Sequence, residues 1–308
     1  MSDPVMRAAS VGPVGDGVRS DLHVAYEPGP EPLTVEVTSK VDYLYGEAIS
    51  AAVHRVAEAF AVATGRLEVT DAGALEWVIL ARGETCLRRA GFQREPVLPA
   101  ASADADSPRQ WERLRRSRLY IPGNQPKLML SAGLYSADGI ILDLEDSVPP
   151  AEKDSARLLV RNALVALDWG ESERMVRINQ GEIGVADLEA IAPFNPHTIL
   201  LPKVEDAELL RDRAKVLRDA STVEPPYLMP ILESPQGIAN AFEIAAADPS
   251  VVALTIGLED LSAELAAPRT SEGVESFFAR QQTVYAARAA GVAPIASVFS
   301  DISDEEAL

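Results

Sequence analysis

The chain has 308 residues, enough for two domains or one large barrel, and 47% of them are hydrophobic, which is typical of globular proteins and excludes global disorder. With 28 Lys and Arg against 47 Asp and Glu, its net charge of −19 argues against nucleic acid or anionic membrane as a partner. The single cysteine, Cys86, excludes an internal disulfide. Since neither a signal peptide nor an apolar run of about 20 residues is visible, we expect a cytoplasmic protein.

Residues 1–92 are predicted to form a small α+β domain. Alternating side chains indicate half-buried strands, and apolar residues at helical spacing indicate helices. The predicted elements are strands at 21–28 and 33–41 joined by a turn at 29–32, a helix at 46–64 capped by Gly65, a strand at 66–71 and a helix at 74–90 ending in Arg88 and Arg89. The two histidines of this region, His23 and His54, are isolated, so no metal site or catalytic triad is indicated there.

Residues 93–114 are predicted to be a linker. The segment 93–110 is rich in Pro, Ala, Ser and Asp and has neither a helical nor a strand period. We therefore place a domain boundary here and a second domain at 115–308.

The second domain alternates short apolar strands with helices, a pattern typical of a parallel sheet with helical crossovers. The spacing of the strands predicts an α/β fold of the (β/α)8, or TIM-barrel, type. Seven strands are visible, at 118–123, 139–146, 174–179, 198–204, 227–234, 251–260 and 293–299, with intervening helices at 151–164, 206–220, 235–247 and 272–290. The expected eighth strand is missing, so we expect either a partner chain that completes the barrel or a longer parent protein.

The predicted strands end in charged residues, and in a closed parallel barrel all of these ends share one rim. Carboxylates dominate, which favours a divalent cation, and Mg²⁺ is typically held by one or two carboxylates with waters and substrate oxygens. Glu233 and Asp260, at the ends of adjacent strands, are the best candidates for its ligands. Arg177 offers a fixed fork for a carboxylate or an oxyanion. The rim has no histidine or cysteine, which argues against zinc.

Two rim residues admit other interpretations. Asp143 precedes Glu145 and Asp146. Alternate residues of a strand point to opposite sides, so one interpretation is that Asp143 faces a neighbouring helix instead of the barrel mouth. Lys203 is either a Schiff-base lysine or a partner in a structural ion pair. We favour the ion pair, because nearby acids stabilise the charged amine.

An ordered series of motifs, "RRSRLYIPGNQPKLM", "ADGIILDLEDSVPPAEKDSAR", "MVRINQ", "LLPKVED", "ILESPQGI", "IGLEDL" and "RTSEG", resembles the beta-subunit family of citrate lyase (HpcH/HpaI aldolase/citrate lyase), which includes malyl-CoA and citramalyl-CoA lyases. The resemblance covers residues 115–308. It implies an oligomeric (β/α)8 barrel that cleaves a carbon–carbon bond of a 3-hydroxyacyl thioester with Mg²⁺. By motif it implies Glu233 and Asp260 as metal ligands, Arg177 as the substrate-binding and catalytic arginine, Glu145 and Asp146 as supporting catalytic acids, and Pro122, Gly123 and Asn124 as substrate-binding residues.

The segments "RSDLHVAYEP", "EVTSKVDYLYGEAI" and "VTDAGALEWVILARGETCLRRA" resemble the citrate lyase acyl carrier protein, the gamma subunit, over about residues 12–91. That carrier bears a phosphoribosyl-dephospho-CoA group on a serine. In an ungapped alignment Arg19 takes the place of that serine, and Ser20 follows one position later. Ser20 is therefore the candidate attachment residue. If no prosthetic group is attached, we interpret the domain as the remnant of a docking domain.

The two resemblances together predict a carrier–lyase fusion that cleaves a citryl thioester, bound to CoA or to a carrier, into oxaloacetate and an acetyl thioester. Other citrate lyase subunits are its expected partners, beside further copies of itself. A malyl-CoA or citramalyl-CoA lyase with a vestigial carrier domain is one alternative. A non-catalytic docking subunit of a lyase complex is another. The sequence does not identify the catalytic base.

Overall fold

The computed structural model describes residues 6–103, 105–270 and 272–298. The chain divides into two compact units. Unit 1 comprises Met1–Ser107, Tyr120–Ser136 and Leu142–Ser172, and unit 2 comprises Pro108–Leu119, Ala137–Ile141 and Glu173–Leu308. The proposed domain boundaries at 92 and 115 stay a prediction. The last residue of the strand predicted at 293–299 lies outside the described residues.

The N-terminal part of unit 1 is a four-stranded sheet with two helices. Its elements are β1 (Ala9–Val11), β2 (Leu22–Pro32), β3 (Thr34–Ser39), α1 (Asp42–Ala59), β4 (Thr64–Asp71) and α2 (Glu76–Ala90). The strand order is β1-β2-β4-β3, in which β4 runs antiparallel to β2 and parallel to β3. Buried residues alternate along β2, as expected of a strand with one face on the core. The predicted strands and helices of this region are thereby confirmed in type.

Two local predictions in this region are wrong. The predicted turn at 29–32 belongs to β2, which continues to Pro32 with a shift of register after Glu27. Gly65 does not cap α1, because that helix ends at Ala59 and Gly65 lies in β4. Gly65 has φ +99°, and a Cβ there would lie 2.5 Å from the carbonyl oxygen of Glu27. The glycine is required by the close approach of β2 to β4 and not by a helix end.

The rest of the chain alternates strands and helices as predicted. Its strands are β5 (Arg118–Pro122), β6 (Gly139–Asp143), β7 (Glu173–Arg177), β8 (Thr198–Leu201), β9 (Tyr227–Leu232), β10 (Ala253–Ile256) and β11 (Ala293–Ile295). Its helices are α3 (Pro126–Met129), α4 (Lys153–Ala166), α5 (Gly181–Ile191), α6 (Ala207–Ala220), α7 (Pro235–Ala239), α8 (Ala241–Ala245), α9 (Leu258–Glu264) and α10 (Val274–Ala290). Three of these helices were not predicted, namely α3, α5 and α9, and the helix predicted at 235–247 is split at Asn240 into α7 and α8.

These seven strands form one curled α/β sheet in chain order, from β5 at one edge to β11 at the other. Neighbouring strands are parallel, for example β9 beside β10 and β7 beside β8. All five residues of β6 are buried, a near-continuous apolar run typical of a parallel sheet covered on both faces. In such sheets the carboxyl ends of the strands gather the functional groups.

No helix within the described residues has the length and apolar character needed to cross a membrane. The cytoplasmic location stays a prediction.

Candidate active site

Glu233 is a buried carboxylate fixed at the end of a strand. It directly follows β9, only 5% of it is exposed, and its Oε2 accepts the backbone N–H of Lys203 at 3.0 Å. The next residue, Ser234, caps α7 by accepting the N–H of Gly237, and Pro235 begins the helix. Since the strand ends at Leu232 and the helix starts at once, little conformational freedom remains for the residue between them.

Gly257 makes room for this carboxylate. In the parallel pairing of β9 and β10, Leu232 lies opposite Ile256, so Gly257 stands beside Glu233. A Cβ on Gly257 would lie 2.5 Å from the Cγ of Glu233. The glycine of the "GLED" motif is therefore required by the packing of the Glu233 side chain.

Asp260 lies in the first turn of α9, directly after β10, and its side chain is 41% exposed. Its Oδ1 lies 3.5 Å from the Nζ of Lys203. The ion pair favoured for Lys203 is thus confirmed. Lys203 contacts both acids, Glu233 through its backbone N–H and Asp260 through its amine, so that the two carboxylates converge on one residue.

The oxygen donors of Glu233 and Asp260 fit Mg²⁺, which takes one or two protein carboxylates and leaves its other positions to water and substrate. Among the residues that the structure describes, no group of three or more His, Cys, Asp or Glu side chains is arranged to hold a metal ion. The assignment of the ligands remains a prediction.

Arg177 is the last residue of β7 and is half-buried, opposite Leu200 of β8. The turn that follows it is fixed by Asn179, whose backbone and side-chain N–H groups donate to Oδ2 of Asp187 at 2.9 and 2.7 Å. Both residues are buried. The asparagine of the "VRIN" motif therefore holds the chain behind Arg177.

The three acids at the end of β6 and in the loop after it have different environments within unit 1. The buried Asp143 accepts the backbone N–H groups of Glu145 and Ser147 at 2.9 and 3.1 Å. It thereby holds the backbone of this loop. The interpretation that it faces a neighbouring helix stays a prediction. Glu145 is 5% exposed, whereas Asp146 is exposed. Their proposed catalytic roles stay predictions.

Sequence reasoning missed Lys153, the first residue of α4. Its Nζ donates to the carbonyl oxygen of Leu144 at 2.7 Å and to that of Glu145. The amine thus fixes the backbone that carries both candidate acids. The sequence signal for this role is a basic residue seven positions after Asp146, at the start of the next helix. Only the fold shows which carbonyl oxygens its amine contacts.

The segment Pro122–Asn124, predicted to bind substrate, closes β5 in unit 1. Gly123 donates its N–H to the carbonyl oxygen of Asp143 at 2.7 Å, and Asn124 Nδ2 donates to Oε2 of Glu152 at 2.6 Å.

Ser20, the candidate attachment residue, is half-exposed with φ +56°, and its N–H donates to the carbonyl oxygen of Ala72 at 3.0 Å. The attachment of a prosthetic group to Ser20 stays a prediction.

Two families match the sequence. Residues 116–308 match HpcH/HpaI aldolase/citrate lyase, and residues 7–90 match the acyl carrier family described as malonate decarboxylase delta subunit. Both predicted resemblances are thereby confirmed.

Curated relatives match the second region. The citrate lyase subunit beta of Leuconostoc mesenteroides subsp. cremoris is 39% identical over 202 residues, which are 63% of this chain and 67% of the relative. The (3S)-malyl-CoA thioesterase of Cereibacter sphaeroides (strain ATCC 17029 / ATH 2.4.9) is 37% identical over 63% of this chain and 66% of the relative. The mitochondrial citramalyl-CoA lyase of Mus musculus is 33% identical over 63% of this chain and 62% of the relative. The chain thus spans about two thirds of the length of these relatives.

Among solved structures, the Mycobacterium tuberculosis protein CitE in complex with magnesium, acetoacetate and coenzyme A is similar, with a TM-score of 0.53 and 34% identity. The similarity covers 63% of this chain and 70% of that protein.

Proposed function

The chain belongs to the HpcH/HpaI aldolase/citrate lyase family and is a carbon–carbon lyase of that family, and from this premise we propose that it cleaves citryl thioester with Mg²⁺ into oxaloacetate and an acetyl thioester. The observation that carries the proposal is the convergence of Glu233 and Asp260 on Lys203 at the ends of two neighbouring strands. Carboxylate oxygens at the ends of neighbouring strands are ligands of the kind that Mg²⁺ takes from proteins.

Glu233 and Asp260 would hold the metal ion. A magnesium-bound relative supports the choice of metal. When bound, Mg²⁺ supplies Lewis acidity and a template for substrate oxygens. Lys203 keeps both carboxylates in place without itself attacking a carbonyl, since its amine is paired with Asp260.

Arg177 would orient the substrate and stabilise the product-like oxyanion. Its guanidinium offers parallel N–H donors that match a carboxylate or the oxygen of the forming keto acid. Cleavage also requires a base that removes the proton of the 3-hydroxyl group, and no described residue is assigned to that step. Glu145 and Asp146 are proposed to support the site from the loop after β6.

A malyl-CoA or citramalyl-CoA lyase is the second candidate function. It is favoured by a relative named a malyl-CoA thioesterase, which shares the substrate, by a relative named a citramalyl-CoA lyase, and by Arg19 at the place of the carrier serine. A non-catalytic docking subunit agrees less well with the presence of Arg177, Glu233 and Asp260. Three finer proposals accompany the activity: closure of the sheet into a (β/α)8 barrel, an oligomer, and association with other citrate lyase subunits.

The test is a lyase assay with citryl-, malyl- and citramalyl-CoA, each with and without Mg²⁺. Release of oxaloacetate from citryl-CoA, dependent on Mg²⁺, is the expected result. Faster cleavage of malyl- or citramalyl-CoA would replace the substrate while keeping the reaction class. No cleavage of any of the three by the intact protein would overturn the proposal.

The proposed prosthetic group on Ser20 needs its own test. The intact mass of protein purified from its native host is compared with the sequence mass. An added phosphoribosyl-dephospho-CoA mass that disappears in Ser20→Ala supports attachment there, and an unmodified mass rejects it.

A further inference from the structure

Helix α2 of the N-terminal fold, which comprises the strands and helices from β1 to α2, is covered on nearly all sides. Twelve of its 15 residues are buried. A helix at the surface of a domain normally keeps one polar face in water. Helix α2 instead packs on β2, on α1 and, on a third side, on α4. The first two neighbours belong to the same small fold, whereas α4 lies in the region that matches the lyase family.

The side of α2 that meets α4 carries charged side chains. Arg161 of α4 donates from Nη1 and Nη2 to the two carboxylate oxygens of Glu84 at 2.9 and 2.8 Å. Arg82 donates from Nη1 to Oγ of Ser155 at 2.8 Å, and from Nε and Nη2 to the carboxylate of Asp21 at 3.0 and 2.7 Å. All five side chains are buried. Such a content of polar groups is typical of an interface between two soluble surfaces and not of one apolar core.

Further hydrogen bonds extend this interface along α4. At the start of the helix, Arg89 donates from Nε and Nη2 to the carboxylate oxygens of Asp154 at 2.7 and 2.6 Å, and from Nη2 to the carbonyl oxygen of Ala151 at 2.8 Å. Farther along, Nδ2 of the buried Asn162 donates to the carbonyl oxygen of Trp77 at 3.1 Å. Helix α4 is therefore held from its first turn to its third.

The segment that follows α2 contacts both sides of the same interface. The backbone N–H of the buried Val97 donates to Oε2 of Glu84 at 2.9 Å. Ser102 donates from its N–H to the carbonyl oxygen of Val165 at 2.8 Å and from Oγ to that of Leu167 at 3.1 Å. The connection between the N-terminal fold and α4 is thus packed against both and does not act as a free tether.

We infer that the N-terminal fold is docked permanently on α4 through α2, as a fixed part of the protein that does not swing like a free carrier. Paired ions in a place that water does not reach allow one docked position, because a small shift leaves buried charges without partners. The inference holds whichever thioester the protein cleaves. A prosthetic arm on Ser20 would start from a fixed point, since the neighbouring Asp21 is held by Arg82.

The first test measures the tumbling of the full chain by NMR relaxation of backbone amides. Amides of α1, in the N-terminal fold, are compared with amides of α4. For a docked fold we expect one rotational correlation time for both helices. A shorter correlation time for α1 than for α4 would show independent motion and would overturn the inference.

The second test removes the covalent connection. A protease site is inserted in the exposed stretch 93–96, and the folded protein is cleaved there. We expect the two pieces to stay together in analytical ultracentrifugation, with a Kd below about 1 μM, because the interface itself holds them. Separation into two species at that concentration is the opposite result, and it would mean that the chain connection alone keeps the fold in place.

A charge reversal tests whether α2 and α4 form the docking surface. Asp154→Arg places a like charge against Arg89, and because both side chains are partly exposed, we expect the uncleaved variant to fold. In the cleaved protein the Kd should rise about tenfold. Glu58→Arg, the same change at an exposed acid of α1, is the matched control and should leave the Kd unchanged.

An unchanged Kd in cleaved Asp154→Arg, with the melting temperature of the uncleaved variant close to that of wild type, would reject this surface. If the variant does not fold, the tumbling of the wild-type chain decides between a docked and a swinging N-terminal fold.

Discussion

Two groups of charged side chains, the buried Glu84 of unit 1 and the strand-end carboxylates of unit 2, differ in their surroundings. In unit 1 the buried Glu84 accepts two hydrogen bonds from Arg161 at 2.9 and 2.8 Å, a third from Nε of Arg88 at 2.8 Å and a fourth from the backbone N–H of Val97. In unit 2, Glu233 and Asp260 both contact Lys203. A buried ion pair holds a fold, whereas two carboxylates close together at strand ends are suited to hold a cation.

The largest expected effect comes from breaking the buried ion pair of Glu84 and Arg161 in unit 1. Glu84→Ala leaves the guanidinium of Arg161, itself 2% exposed, without its carboxylate. We expect a loss of about 3–5 kcal/mol in the free energy of unfolding, measured by urea denaturation. The control is the double variant Glu84→Leu, Arg161→Met, which removes the buried charge pair, leaves only the partly exposed Arg88 without its carboxylate, and should recover most of the loss. A single variant as stable as wild type would contradict the structural role.

The second effect concerns the two strand-end carboxylates of unit 2. Glu233→Gln and Asp260→Asn keep the shape of each side chain and remove a charge that would hold Mg²⁺. We expect a loss of about 100-fold or more in kcat/KM, equivalent to about 2.7 kcal/mol, with the melting temperature close to that of wild type. Glu259→Gln is the matched control, since Glu259 is a neighbour of Asp260 that pairs with Arg269. Full activity in both site variants would remove them as metal ligands.

A smaller effect tests whether geometry or charge matters at Arg177. Arg177→Lys preserves the positive charge but loses the planar fork. We expect KM for the thioester to rise about tenfold, as for the loss of one charge-assisted hydrogen bond. Steady-state kinetics at saturating Mg²⁺ provide the measurement. If KM is unchanged and kcat also stays at the wild-type level, Arg177 does not contact the substrate.

The smallest effect concerns an ion pair at the surface of unit 2, between Arg116 and Asp138. The hydrogen bond from Arg116 and its charge, together with two backbone N–H groups, lower the pKa of Asp138 to about 2. Because the folded pKa is depressed, the stability that Asp138 contributes is present above pH 4 and is lost as pH falls toward 2. Arg116→Ala should move this pKa part of the way toward its usual value of about 3.9, as followed by NMR titration. The exposed Arg280→Ala serves as the control, and an unshifted Asp138 in Arg116→Ala would assign the effect to the backbone donors alone.

Several elements could be predicted because their signals are local. The alternating burial of β2 and the apolar run of β6 are visible in the sequence, since side-chain period and length distinguish such strands. The two basic residues in the last turn of α2 were also predicted. The acids at strand ends were identified because polar residues that directly follow buried strands are conspicuous.

Other features were not accessible for physical reasons. Gly65 carries the same local signal as a helix cap, and only the approach of β2 shows that it serves a strand. Asp143, Glu145 and Asp146 look alike in sequence, and burial separates them only once the loop has folded back onto Asp143. Backbone hydrogen bonds to a side chain depend on loop conformation, which composition does not specify.

The sequence by itself determined the order and type of most elements, the candidate acids at the strand ends, and the two family resemblances, since all of these depend on residues near one another in the chain or on ordered motifs. Tertiary structure alone decided which charges meet: Asp21 with Arg82 across 61 residues, and Glu84 with Arg161 across 77. Such pairs form because packing brings distant segments together and desolvates their charges, so that each ion needs the partner that the fold places beside it.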